Sequence, residues 1–108
     1  MKIQKQFGAA QDEAQFDLSE SHSEDLLLQI IGAGTLTLVL EVSQDGGTTW
    51  VAVRVRDINT GTDTASMVAN GLFKPTDAIY GALKARVRCS AFTSGTKNAH
   101  VGSVRAAA

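Results

Sequence analysis

The chain has 108 residues, with 10 basic and 11 acidic side chains and a formal charge of −1. That length supports one domain with a modest core, and the balanced charge gives no electrostatic drive toward nucleic acid or a membrane surface. A single cysteine excludes an internal disulfide, and no apolar run approaches the roughly 20 residues of a membrane-spanning helix.

Ten glycines, one proline and many Thr and Val residues point to strands rather than helices. The expected fold is all-β: a two-sheet antiparallel β-sandwich, jelly-roll-like, of about eight strands with an N-terminal arm. The expected divisions are an arm or edge segment at 1–14, the sandwich at 15–105 and a bland tail at 106–108. The N-terminus, Met1-Lys2-Ile3-Gln4-Lys5-Gln6, has no signal-peptide core behind it. A chain made and kept in a reducing cytoplasm, or assembled there, is expected.

In chain order, Ile3 and Phe7 are isolated apolar residues before Gly8-Ala9-Ala10-Gln11-Asp12-Glu13. Two readings stay open: a frayed terminus, or an arm that docks on a neighbouring subunit with Phe7 as its anchor. Phe16 and Leu18 begin a short strand, and Ser19-Glu20-Ser21-His22-Ser23-Glu24 reads as a loop. The run Leu26-Leu27-Leu28-Gln29-Ile30-Ile31 predicts a strand covered on both faces. Gly32-Ala33-Gly34 reads as the next turn.

Leu36, Leu38, Leu40 and Val42 alternate with Thr37, Val39 and Glu41, which is the period of a half-buried strand. The alternation resumes at Val51, Val53 and Val55, so strands at about 35–42 and 49–56 form a hairpin around Asp45-Gly46-Gly47. A short strand at 64–69, the hairpin dipeptide Asn70-Gly71 and a strand at 72–74 follow, with Pro75 ending the last. Residues 76–81 cross back, with room for one helical turn. Leu83, Ala85, Val87, Cys89 and Ala91 alternate with Lys84, Arg86, Arg88 and Ser90. Residues 92–96 read as a turn, and 97–105 as the last strand. Cys89 falls on the apolar side of its strand and reads as a buried, inert thiol.

Catalytic chemistry finds no constellation here. His22 and His100 stand without a nucleophile or carboxylate motif. Two histidines and one cysteine do not make a zinc site of the usual kind. The carboxylates fit no EF-hand spacing, and no phosphate-binding glycine loop precedes a helix. No enzyme, cofactor or metal is expected. Arg54 and Arg56 on one strand, with Lys84, Arg86 and Arg88 on another, could form a basic stripe if the two strands are neighbours. That stripe and Phe7 are the candidate partner contacts. A solvated face balanced by Glu41 is the alternative.

The most distinctive stretch is Ser43-x-Asp45-x-Gly47-x-Thr49-Trp50. It resembles the Asp-box turn that recurs on the hairpins of sialidase propellers, where it is structural and lies away from the catalytic centre. A propeller needs several copies; this chain carries one, so a sialidase is not expected. The turn reads as self-bonded and capped by an aromatic, with partner contact through the loop as the alternative.

Three segments then act together: Glu41-Val42-Ser43-Gln44-Asp45-Gly46-Gly47-Thr48-Thr49-Trp50, Asn70-Gly71-Leu72-Phe73, and Arg86-Val87-Arg88-Cys89-Ser90-Ala91-Phe92-Thr93-Ser94-Gly95-Thr96. Their combination resembles a β-sandwich module of tailed-phage virion proteins, found in capsid decoration (cement) proteins, head fibres and tail-associated proteins. The resemblance spans about residues 26–105. It implies a non-enzymatic virion role, often as a trimer. A free-standing chain of this size is expected to be a decoration protein that binds the major capsid protein on the outer surface of the head. The alternative is a tail- or neck-associated part or a carbohydrate-binding host-adhesion module, with Trp50, Tyr80 and Phe92 as its aromatics.

Overall fold

The computed structural model describes residues 2–17, 26–76 and 84–103. Sequence expectations on 18–25, 77–83 and 104–108 lie outside the described residues, including the loop around His22, the crossing through Tyr80 and the C-terminal tail. All described elements are strands: β1 (Lys2–Phe7), β2 (Glu13–Asp17), β3 (Leu26–Ser43), β4 (Val51–Val53), β5 (Val55–Asp57), β6 (Asp63–Thr64), β7 (Gly71–Pro75) and β8 (Lys84–Ser103). The pairings are antiparallel throughout.

β3 and β8 organise the molecule. They pair along their whole length, from Leu26↔Ser103 to Ser43↔Lys84. The first half of β3 and the second half of β8 carry β1 and β7, and β5 and β6 continue beyond β7. The second half of β3 and the first half of β8 carry β4 and β2. The two layers of the sandwich are therefore halves of one hydrogen-bonded sheet that folds over itself.

The core confirms the folding-over. Leu26, Leu28, Ile30, Phe73, Ala99 and Val101 of the first layer join Leu36, Leu38, Leu40, Ala85, Val87 and Cys89 of the second in one buried cluster. Each large aliphatic side chain buried there contributes about 1.5–3 kcal/mol. The molecule measures 40 × 32 × 21 Å, and its shortest dimension fits two layers about 10 Å apart with side chains on both outer faces.

Two segments that read as turns are strand interior instead. Gly32-Ala33-Gly34 and Phe92–Thr96 lie opposite one another in the β3–β8 ladder, with Gly34 facing Gly95. Glycine marks turns because it tolerates positive φ, but here it serves close approach of two backbones. Gly34 has φ +144 and Gly95 φ +84. A Cβ on Gly34 would stand 2.7 Å from the Gly95 Cα, and a Cβ on Gly95 would meet the Ala33 carbonyl oxygen. Register shifts at Thr35/Leu36 and Thr37/Leu38 add the local bend.

Other expectations are corrected by pairing. The Leu26–Ile31 run is covered on one face only, leaving Leu27 and Ile31 40% and 46% exposed. The hairpin strand expected at 49–56 is two strands: β4 pairs with β3 in the second layer, and β5 pairs with β7 and β6 in the first. Asn70-Gly71 makes no two-residue hairpin; Asn70 Nδ2 donates to the Gly32 carbonyl at 2.9 Å. The strand expected at 64–69 is reduced to β6 and a bridge from Met67 to Leu38. At the N-terminus, Lys2–Phe7 pairs with Gly102–Lys97 as an edge strand, and Phe7 is 0% exposed. Phe7 is thus a core residue and is not presented to a neighbouring subunit.

Candidate functional site

The tip of the second layer holds the Ser43–Trp50 turn. Asp45 organises it with one oxygen: Oδ1 accepts from the Ser43 hydroxyl at 2.8 Å, from the Thr49 amide at 2.8 Å and from the Thr48 amide at 3.1 Å. The Ser43 hydroxyl accepts from the Gly47 amide at 2.9 Å. Trp50 closes the turn by donating its indole N–H to the Gly47 carbonyl at 3.0 Å. Ser43, Asp45, Gly47, Thr49 and Trp50 thus satisfy one another, and the turn is set by its own side chains rather than by long-range packing.

The bonds from the Thr49 amide and the Ser43 hydroxyl hold the Asp45 carboxyl down at about 2, from an ordinary 3.8. A depressed carboxylate stabilises the fold above its unfolded value and loses that contribution as pH falls through its folded value. Asp45→Asn is therefore expected to lower the melting midpoint at neutral pH, with little difference from wild type near pH 2. Melting curves at both pH values check this, with Trp50 emission shifting to the red as the turn opens. An unchanged neutral-pH midpoint would show that the backbone alone holds the turn.

Behind the turn, the outer face of the second layer carries a charge network. Register puts Glu41 opposite Arg86 across the β3–β8 pair, and Glu13 opposite Arg88 across β2–β8. Arg86 Nε donates to Glu41 Oε1 at 2.7 Å, and its Nη1 donates to Glu13 Oε2 at 2.6 Å. Arg88 Nε and Nη2 donate to the two Glu41 oxygens at 3.0 and 3.3 Å. A further Arg88 nitrogen reaches the Gln11 side-chain oxygen at 3.1 Å. The Arg86 guanidinium also lies 4.3 Å from the centroid of the Trp50 ring, a cation–π contact that joins the network to the turn. Burial pushes the Glu41 carboxyl up, but the hydrogen bonds from Arg88 and Arg86 outweigh it and leave it below its ordinary value. The hydrogen bond to Glu41 holds Arg88 up.

The five basic residues do not form one stripe. Lys84, Arg86 and Arg88 share the second layer's outer face, with Lys84 in register with Ser43. Arg56 lies on β5 in the first layer and pairs with Asp63 at 2.7 Å, and Arg54 sits where the chain crosses between layers. The alternation of 54 with 56 suggested a shared face, but the chain changes layers between Val53 and Val55. The Arg56–Asp63 pair is well exposed and contributes little to stability. The roles of Glu13 and Gln11 were not legible beforehand, since neither forms a local motif and only the β2–β8 register places them.

Among the described residues no group of three or more His, Cys, Asp and Glu side chains could hold a metal ion. Cys89 is buried in the core. Its thiol is pushed up by burial and donates to the Ala91 carbonyl at 3.3 Å, which keeps the reactive thiolate scarce.

No protein-family model and no curated protein matches the chain. Solved structures do. The SPBc2 prophage-derived protein YomS superposes with a TM-score of 0.67 at 14% identity, over 94% of this chain and 93% of that one. The PBSX exported protein XepA superposes with a TM-score of 0.65 at 14% identity, over 94% of this chain and 38% of that one. The chain therefore spans nearly all of the first protein and well under half of the second. At this identity the likeness is one of fold: the chain has the bent-sheet β-sandwich fold also found in these two phage-derived proteins.

Proposed function

We propose that this chain is a non-enzymatic structural protein of a phage particle, and within the particle a capsid decoration protein. The observation that carries the reading is the fold it shares, end to end, with a prophage-derived protein. The three-segment resemblance described above supports a virion role. In this role the chain binds the outside of the assembled head through the major capsid protein, as a homo-oligomer, the resemblance favouring a trimer. Its location is then the virion surface, after synthesis in the host cytoplasm. Each copy binds only the assembled lattice, so occupancy shifts the equilibrium toward the intact head. Many modest contacts act together through the symmetry of the particle.

The second reading is a tail- or neck-associated or host-adhesion module. The likeness to an exported protein, in which the fold fills 38% of a longer chain, favours keeping it. A glycan platform on Trp50 fits poorly, because its N–H is bonded to Gly47 and its ring is covered by Arg86. Phe92 remains exposed.

Purified protein is expected to co-sediment with expanded phage heads and to raise their melting temperature. Binding to isolated tails with none to heads would replace the decoration reading by the tail reading. An Asp45→Asn protein that keeps its melting midpoint but loses the particle would make the turn a contact site.

A further inference from the structure

We propose that a cleft between the far end of the first layer and residues 66–69 binds a single sugar ring through its hydroxyls. The inference does not depend on the capsid reading.

An aspartate on the inner face of the sheet begins the cleft. Asp57 pairs with Phe73 across β5–β7, and Val55 pairs with Thr64 across β5–β6. Residues directly opposite one another share a face, and Phe73 and Val55 are buried in the core. Asp57 and Thr64 therefore lie on the core side. Thr62, two residues before Thr64, shares that side, and its carbonyl accepts from the Asp57 amide at 2.9 Å. A carboxylate set toward the interior needs partners. Asp57 Oδ1 has one, accepting from the Asn59 amide at 2.9 Å. Among the described residues Asp57 Oδ2 makes no hydrogen bond, nor do the hydroxyls of Thr62 and Ser66. The Thr60 hydroxyl accepts from the Thr62 amide at 3.3 Å and keeps its proton to donate.

These groups line one hollow of about 240 Å³, which Val68, Ala69 and Phe73 complete with an apolar wall. That wall is fixed from both layers. Met67 exchanges two backbone hydrogen bonds with Leu38 of the second layer, at 2.7 and 3.0 Å. The Val68 carbonyl accepts from Lys97 Nζ of the first at 3.0 Å, while the Val68 side chain stays exposed. The hollow is thus shaped before a ligand arrives, which lowers the ordering cost of binding. Its chemistry narrows the ligand. A carboxylate only accepts hydrogen bonds, whereas hydroxyls both donate and accept. Adjacent hydroxyls of one sugar donate to Asp57 Oδ2 and exchange bonds with Thr60, Thr62 and Ser66, and the C–H face of the same ring packs on Val68. The volume falls below the roughly 300–1,000 Å³ of drug-sized pockets, so it takes one ring and not a chain.

The test follows the amide chemical shifts of the full chain by NMR during titration with methyl α-glucopyranoside, methyl β-galactopyranoside and N-acetylglucosamine, each to about 50 mM. At least one sugar is expected to shift the amides of Asn59, Thr62, Ser66 and Val68, with a Kd of about 1–10 mM. Asp57→Asn keeps an acceptor for the Asn59 amide and is expected to weaken that binding about tenfold or more. Thr62→Val removes a hydroxyl at nearly constant shape, weakens binding to a lesser degree, and serves if Asp57→Asn fails to fold. Three sugars that shift none of these amides, shifts centred on Trp50 or on the outer faces, or an affinity unchanged in both variants overturns the proposal. So does methylammonium chloride shifting the same amides at lower concentration than every sugar, since the cleft is then a cation site.

Discussion

Gly95→Ala is expected to unfold the protein or to destabilise it by at least about 3 kcal/mol. Two effects combine. Gly95 has φ +84, which an L side chain rarely adopts, and its added Cβ would meet the Ala33 carbonyl oxygen and the Gly34 Cα. Both obstacles are backbone atoms of the paired strand, so no side chain can swing aside to relieve them. Relief requires β3 and β8 to separate where one layer passes into the other. The core depends on that passage, because Leu28 and Leu38 belong to one buried cluster only while the sheet stays bent.

Urea unfolding of the soluble variant measures the loss. Gly61→Ala is the control, since Gly61 has φ +72 but no heavy atom within 4 Å of its added Cβ. It should cost about 1 kcal/mol, the conformational part alone. Equal midpoints for the two variants would mean that the close approach at Gly34 and Gly95 carries no special cost.

Glu41→Ala is expected to cost about 2–3 kcal/mol, because it strands two arginines at once. Arg86 and Arg88 converge on the Glu41 carboxylate, and their side chains are only 17% and 22% exposed. Truncating a fully buried partner costs more, about 3–5 kcal/mol; here the residual solvent contact of both guanidinium groups, and the Glu13 bond to Arg86, reduce the loss. Glu41→Gln keeps the shape and an acceptor, so it should lie between wild type and alanine.

The pH dependence has a fixed sign. The folded-state Glu41 carboxyl is lowered from its ordinary 4.5. Its stabilisation is therefore fully present above the unfolded value and is lost as pH falls through the lowered folded value. Wild type should lose more stability than Glu41→Ala between neutral pH and strong acid, so the two melting curves converge on acidification. Parallel curves would show that Glu41 does not titrate with folding and that the network contributes through packing alone.

Local chemistry was readable where it is local. Ser43, Asp45, Gly47, Thr49 and Trp50 lie within eight residues, and every bond that defines their turn closes inside that window. The same holds for the inward sides of β3 and β8, where Leu36, Leu38 and Leu40, and Ala85, Val87 and Cys89, follow the period of the strand. Glycine misled because it has two uses. Gly34 and Gly95 resemble turn residues in one dimension, and only their mutual pairing shows that two backbones need the room. Phe7 misled because an isolated aromatic in a polar segment has no periodicity, and its burial follows from the pairing of β1 with β8.

What the sequence by itself determined is therefore the all-β class, the inward faces of the two long strands and the self-bonded turn, since each follows from residues close together in the chain. Tertiary structure alone decided that the two layers are one bent sheet, that the layers part Arg54 and Arg56 from Arg86 and Arg88, and that Leu27 and Ile31 face outward. The physical reason is register. A strand records which of its side chains share a face, but the identity of the opposing strand, and the layer it lies in, is set by pairings between residues far apart in sequence.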